Sequence, residues 1–299
     1  MSNSPVFSAG RVAGSGKNLL MNGDMTIWQR GLSALPAGSY TADRWYKSGG
    51  TSTGSRSSSS PTSAFNGSLR LGAACNVRQT IELPLPTESS TTGYGDIPPG
   101  TVVTASFWFQ SDVVGTNVYL ATYWRELMAS GTATNDLPAT LVLTTVDIEW
   151  SFVEFTYTIT TEKLAKDNYL FSVEVDNGPF RIQGVQFEVG STATEFEHIT
   201  PADQLARCQR YYYEVNPTSI ICAPGYVQIN GGVWDVCWLP VQMRTAPTAE
   251  ITLDQGGPGF AGSVSVNAAT PQFVRMVNTC TVTTNGAYYQ YKLSADAEF

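Results

Sequence analysis

Along much of this chain, apolar and polar residues alternate in short runs broken by turn-forming residues. Between Phe152 and Ile159, the residues Val153, Phe155, Tyr157 and Ile159 form one apolar row, while Glu154, Thr156 and Thr158 dominate the other. A strand points successive side chains to opposite faces, so the first row is expected to face a core. Phe107 and Phe109 share a face in the same way. This reading predicts strands at 25–28, 40–47, 68–73, 77–83, 101–110, 117–124, 148–159, 169–175 and 180–189. It predicts further strands at 226–229, 233–239, 249–253, 263–266, 273–277, 280–284 and 288–295. The Ser/Thr/Gly stretch 48–63 reads as a loop. Five Asn-Gly pairs, at 22, 66, 177, 230 and 285, favour tight turns between antiparallel strands, because both residues tolerate positive φ.

One segment breaks the pattern. Thr200 can cap a helix, Pro201 suits its first position, and Asp203 stands near its positive end. Leu205, Cys208 and Tyr212 then follow at helical spacing, with the end expected by Glu214, before Asn216-Pro217. The expected fold class is all-β, with two β-sandwich domains joined by one short helix. The boundaries are a polar arm or attachment segment at 1–17, a first domain at 18–200, a connector helix at 201–214 and a small β domain at 215–299. A β unit of that size exposes edge strands, and sister subunits are one way to seal them.

Composition narrows the partners. Charged residues are 14% of 299, against roughly 25% in an average domain, and the formal net charge is −8. No Lys/Arg cluster offers a surface for phosphates, so nucleic acid and anionic membranes are not expected partners. The first residues lack the apolar core of a secretory signal, and no apolar run is long enough to span a bilayer. Synthesis and folding in a cytoplasm follow. The five cysteines, Cys75, Cys208, Cys222, Cys237 and Cys280, show no C-x-x-C spacing and read as buried thiols. A Cys222–Cys237 bridge is the sharper alternative.

Catalytic chemistry finds little support. His198 is the only histidine, which excludes multi-histidine metal sites. Gly50-Thr51-Ser52-Thr53-Gly54 matches G-x-S-x-G, but in a loop of a β-rich region rather than a strand-to-helix elbow. Gly14-Ser15-Gly16-Lys17 resembles the end of a phosphate-binding loop, yet Asn18 stands where magnesium needs Ser or Thr. Glu174 with Asp176, and Glu195 with Glu197, are spaced two apart as carboxylate pairs, the arrangement a glycan depolymerase would need. The same spacing is ordinary on a solvent-facing strand. No catalytic residue, cofactor or metal is expected. Aromatic side chains carry more. Trp124 beside Arg125 and Glu126, and Tyr288-Tyr289 beside Asn285-Gly286, are the candidate glycan contacts, since exposed rings can stack on sugar C–H faces.

Several segments together resemble a known family. They are Asn18-Leu19-Leu20-Met21-Asn22-Gly23-Asp24-Met25-Thr26-Ile27-Trp28-Gln29-Arg30-Gly31 and Ala42-Asp43-Arg44-Trp45 near the start. Ile182-Gln183-Gly184-Val185-Gln186-Phe187-Glu188-Val189-Gly190, Ala193-Thr194-Glu195-Phe196-Glu197 and Cys208-Gln209-Arg210-Tyr211-Tyr212 stand midway. Met243-Arg244-Thr245-Ala246-Pro247-Thr248 and Ser294-Ala295-Asp296-Ala297-Glu298-Phe299 come late. In this order they resemble tailed-bacteriophage virion surface proteins of the tail-fibre or head-decoration type. The first half also resembles galactose-binding-like jelly rolls, with Met25 in place of the usual Phe. The resemblance implies a jelly-roll first domain, a homotrimer on the virion surface, and phage capsid or tail proteins as partners. It implies a non-enzymatic structural role as capsid decoration (a cement or head spike), short tail fibre or spike, with host-surface glycan as a further partner. A carbohydrate-binding receptor-recognition module and a glycan depolymerase are the alternatives. From the residues alone, Arg30, Asp43 and Arg44 read as a semi-buried ion pair stacked on Trp28 and Trp45, and Gln183 and Gln186 as amides that satisfy loop backbone.

Overall fold

The computed structural model describes residues 17–298 apart from 34, 37, 51–52, 82–99, 127–133, 136–140, 146–147, 160–166, 216–220, 223–225, 228–229, 231, 257–259, 282–283 and 286–288. It describes the backbone alone at 123–126, 134–135, 141–142, 167–168, 221–222, 226–227, 233, 253–256, 260–263, 280, 284–285 and 289. The described chain is all-β apart from one helix, and its strands pair antiparallel. It divides into two compact units. The first runs to Thr26 and from Leu32 to Ile199, and the second joins Ile27–Gly31 to Thr200 and beyond.

The first unit is a sandwich of two sheets. Its strands are β1 (Ser39–Tyr40), β2 (Tyr46–Ser48), β3 (Gly54–Ser57), β4 (Ser68–Leu71), β5 (Cys75–Ile81) and β6 (Val102–Ser111). They continue with β7 (Asn117–Glu126), β8 (Thr134–Asn135), β9 (Leu141–Thr144), β10 (Ser151–Thr158), β11 (Asp167–Val175) and β12 (Phe180–Val189). One sheet has the order β10-β6-β12-β4-β3. The other has the order β1-β2-β5-β11-β7-β8, with β9 also on β7. The alternation predicted in β10 is observed: Val153, Phe155 and Tyr157 are buried, while Phe152, Glu154, Thr156 and Thr158 are exposed. Rings fill the space between the sheets. Phe187 stacks on Tyr169 at 5.9 Å and lies 5.4 Å from Phe171 and 6.4 Å from Tyr157. The Tyr157 hydroxyl donates to Thr122 Oγ1 at 3.0 Å and lies 2.8 Å from the Tyr169 hydroxyl, which satisfies these polar tips inside the core.

The sequence motifs serve this sandwich. Asn22 is buried with φ +54, and its Nδ2 donates to Asp43 O at 2.9 Å. The Trp45 indole donates to Asn22 O at 2.8 Å, and Arg44 donates to Thr80 O at 2.7 Å. Gln183 Nε2 donates to Asp24 O, and Gln186 Oε1 accepts from Glu197 N–H, so both amides satisfy loop backbone as expected. Three expectations need correction. Residues 25–28 form no strand, because Thr26 N–H is taken by Asn22 Oδ1 and Met25 turns with φ +53. The stretch 48–63 contains a strand, β3, held by β4 although it carries no apolar side chain. The described Asn-Gly pairs close no two-residue hairpin. Asn177-Gly178 instead connects β11 in one sheet to β12 in the other.

The second unit comprises α1 (Pro201–Gln209), β13 (Tyr212–Val215), β14 (Ile221–Cys222), β15 (Tyr226–Val227) and β16 (Gly232–Trp238). It continues with β17 (Thr248–Gly256), β18 (Phe260–Ala269), β19 (Phe273–Cys280), β20 (Thr284–Asn285) and β21 (Tyr289–Asp296). β21 is central to one sheet, paired to β17 along one edge and to β13 and β14 along the other, and β16-β19-β18 form a second sheet. Val215, Cys237, Met243, Val274, Met276, Tyr291, Leu293 and Ala295 make its core. Thr200 Oγ1 accepts from Asp203 N–H and caps α1, with Pro201 at the start, as the sequence predicts. The helix stops earlier than expected. Tyr211 N–H closes on Cys208 O, and Tyr212 enters β13 opposite Asp296, so strand pairing overrides the helical spacing. The helix belongs to the second unit. Arg30 belongs there too. It lies over the Tyr212 ring at 3.6 Å and pairs with Asp296 at 3.2 Å and Glu298 at 3.6 Å. Asp43 and Arg44 are buried in the first unit.

Cys75, Cys208 and Cys237 are free and buried, so Cys237 forms no bridge to Cys222. Burial pushes the Cys75 and Cys237 thiols up to about 11, opposed at Cys75 by nearby Lys47 and reinforced at Cys237 by Asp235. The thiolate is the reactive form. At pH 8 both are expected to resist iodoacetamide in the native protein and to alkylate on unfolding, as read by peptide mass spectrometry.

Candidate functional site

The seven-stranded sheet of the first unit presents its outer face as three parallel rows. Strand register places Tyr40, Tyr46, Arg78, Ser172 and Ala121 side by side across β1, β2, β5, β11 and β7. The next row holds Ser48, Asn76, Glu174 and Tyr119, and the third holds Thr80 and Leu170. The strands alternate here as they do in the core. In β5 the residues Cys75, Val77, Gln79 and Ile81 are buried, while Asn76, Arg78 and Thr80 are half-buried.

Size varies across the rows. Ser172, Ala121 and Leu170 are buried despite standing on the outer face, whereas Tyr46, Arg78, Asn76, Glu174 and Tyr119 are half-buried around them. The small residues Ser172 and Ala121, with Leu170 beside them, therefore form a floor among taller aromatic and polar neighbours. The Arg78 guanidinium lies over the Tyr46 ring at 4.8 Å, and Tyr40 meets Tyr46 edge-on at 5.2 Å. This stacking holds Arg78 in place while leaving its N–H groups for other partners. Neither Arg78 nor Asn76 spends its side-chain hydrogen bonds on another described residue.

Asp176 closes one end of the face. Its carboxylate accepts from Asn117 N–H at 2.9 Å, Asn117 Nδ2 at 2.7 Å and the Tyr119 hydroxyl at 3.1 Å. Desolvation alone would raise its pKa, but these donors outweigh it and hold the carboxyl below its ordinary range. Desolvation, reinforced by the bond to Asp176, pushes the Tyr119 hydroxyl up, so it stays a donor. Held below its ordinary range, the Asp176 carboxyl does not keep the proton that a general acid needs near neutral pH. Of the other pair, Glu197 Oε2 accepts from Asn18 N–H at 3.0 Å and is committed to the fold. His198 packs against Phe196 at 5.1 Å and Phe65 at 5.5 Å as part of an aromatic cluster. Among the described residues, no group of three or more His, Cys, Asp or Glu could hold a metal.

Trp124 pairs with Tyr169 in the register, and its side chain lies outside the described residues. Tyr288 lies outside them entirely, as does the side chain of Tyr289 in β21. Of the residues on this face, sequence reasoning singled out Glu174 and, at its end, Asp176. The alternation of Asn76, Arg78 and Thr80 with buried neighbours was the available signal for the rest.

No family model matches the chain, and no curated protein is similar to it at a significant level. Some solved structures are similar to parts of it. The enzymatically active domain of tailspike protein 4 from bacteriophage CBA120 is 16% identical with a TM-score of 0.38, over 58% of this chain and 22% of that one. The chain thus spans about a fifth of the tailspike chain it matches. A xylan-binding domain from Paenibacillus barcinonensis is 13% identical with a TM-score of 0.37, over 60% of this chain and 97% of that one. A family 22 carbohydrate-binding module from Clostridium thermocellum is 17% identical with a TM-score of 0.35, over 52% and 91%.

Proposed function

We propose that the first unit is a non-enzymatic glycan-binding module, and that it binds through the outer face of its seven-stranded sheet. The observation that carries this reading is the combination on one face of a small-residue floor, tyrosine rings and uncommitted polar groups at Arg78 and Asn76. A sugar presents hydroxyls that need donors and acceptors, and C–H faces that favour rings. Arg78 and Asn76 supply donors, Glu174 supplies an acceptor, and Tyr40, Tyr46 and Tyr119 supply rings.

The test is calorimetry of the full chain with oligosaccharides chosen from a glycan array. Arg78→Ala and Tyr46→Ala are each expected to weaken binding by about tenfold or more, or roughly 1.4 kcal/mol. Thr158→Ala, on the outer face of the other sheet, should leave affinity unchanged. Undiminished binding by Arg78→Ala, or no binding by the native chain at millimolar ligand, rejects the face. New reducing ends from polysaccharide, lost in Glu174→Gln or Glu195→Gln, would point to a depolymerase instead.

The sequence segments from Asn18 to Phe299 support a second layer of the same reading, in which the module serves on the surface of a tailed-phage particle. Many weak sugar contacts on one particle add up to firm adhesion. Immunogold microscopy of particles tests it: label over the head supports decoration, label at the tail supports receptor recognition, and unlabelled particles reject both.

A further inference from the structure

β16 is an edge of the β16-β19-β18 sheet, and it carries an unusual outer face. Trp234, Val236 and Trp238 alternate along it and are 54%, 38% and 69% exposed. Exposed apolar stripes on edge strands are ordinarily suppressed, because they template pairing with another strand. Here the neighbouring strand extends the stripe: Val277, Arg275 and Phe273 stand opposite Trp234, Val236 and Trp238 in register. Phe273 meets Trp238 edge-on at 5.5 Å. Arg275 lies 5.5 Å over Trp234, and its Nε donates to Asn267 Oδ1 at 2.8 Å.

The stripe reads the same in both directions about Val236. An antiparallel copy of the strand, related by a two-fold axis at Val236, brings Trp234 opposite the partner's Trp238 and Trp238 opposite the partner's Trp234. A self-complementary patch is what an isologous interface requires, and directly opposed aromatic pairs stabilise antiparallel strands. The backbone agrees. Leu239 N–H turns to Gln272 O on the β19 side, so alternation directs the Val236 N–H to the edge that no other described strand pairs. There it is held by Asp235 Oδ1 at 2.8 Å, a local stand-in for a strand partner. Beside these rings, Arg275 Nε and Asn267 Oδ1 are engaged with each other. We propose that two copies of this chain associate through β16, joining their three-stranded sheets into one.

Light scattering on the full chain tests this. The expected result is a concentration-dependent species of twice the 32.3 kDa chain mass. Trp238→Glu and Trp234→Glu should each raise its dissociation constant at least 100-fold with an unchanged circular dichroism spectrum. Val236→Cys adds a geometric readout. Strand pairing about the two-fold makes position 236 a hydrogen-bonded pair with its own copy, with Cβ atoms about 5.5 Å apart, so a short bismaleimide should give a covalent dimer. A monomer at all concentrations, a three-fold assembly, or a dimer that Val236→Cys does not cross-link would overturn the proposal. So would a monomer whose Trp234 and Trp238 bind oligosaccharide. None of these readouts depends on glycan binding by the first unit.

Discussion

Phe187→Ala is expected to cost the first unit about 4 kcal/mol, at the upper range for deleting a buried ring. The ring touches three others, and Ala105 opposite it across β6 leaves it the room it fills. Its removal opens a cavity under Tyr157 and Tyr169, whose hydroxyls are bonded within the core. Collapse to fill that space would pull those hydroxyls from each other and from Thr122, so the neighbours cannot relax cheaply. A loss of this size is a large part of the 5–15 kcal/mol that typically stabilises a folded domain. Urea unfolding followed by tryptophan fluorescence measures it. Phe187→Leu, which keeps most of the volume, should cost about 1.5 kcal/mol or less. Equal losses from both variants would show that shape, and not volume, governs the site.

Gly23→Ala is expected to cost about 3 kcal/mol for a different reason. A Cβ at Gly23 would run into the carbonyl oxygen of Val185, part of the backbone and unable to swing aside. The approach is close because the two segments are tied. Val185 N–H donates to Gly23 O at 2.9 Å, and Asn18 Nδ2 donates to Val185 O at 3.0 Å. The clash must break or stretch both bonds, and overpacking against fixed atoms costs about 1–3 kcal/mol or more. Gly115→Ala is the control. Its φ is +81, but nothing lies near its added Cβ, so the cost should be only about 1 kcal/mol of backbone strain. A smaller thermal shift for Gly23→Ala than for Gly115→Ala would refute the packing argument.

Strands with one buried face were legible in the sequence, because burial imposes a period of two. β10 and β12 were placed within a few residues, and Thr200-Pro201 marked the helix start correctly. The failures share a cause, which is that distant partners decided the local structure. β3 exists because Leu69 and Leu71 of β4 bury themselves and need a neighbouring strand, while Gly54-Ser55-Arg56-Ser57 shows no pattern of its own. Tyr212 fits a helical stripe until β21 captures it. The candidate face was less legible still. Tyr46, Arg78, Tyr119 and Glu174 come from four strands, and only strand register, which depends on the whole sheet, sets them side by side.

The membership of Ile27–Gly31 in the second unit has a consequence for how this protein can be made and dissected. Arg30 meets Asp296 across 266 positions, and Gln29 donates to Tyr212 O across 183. During synthesis, this short piece must wait on the ribosome side of folding until nearly everything after it has emerged. Cloning from Thr200 onward would yield a fragment that lacks part of its own wall. Supplying a peptide that spans Ile27–Gly31 should restore what such a fragment is missing.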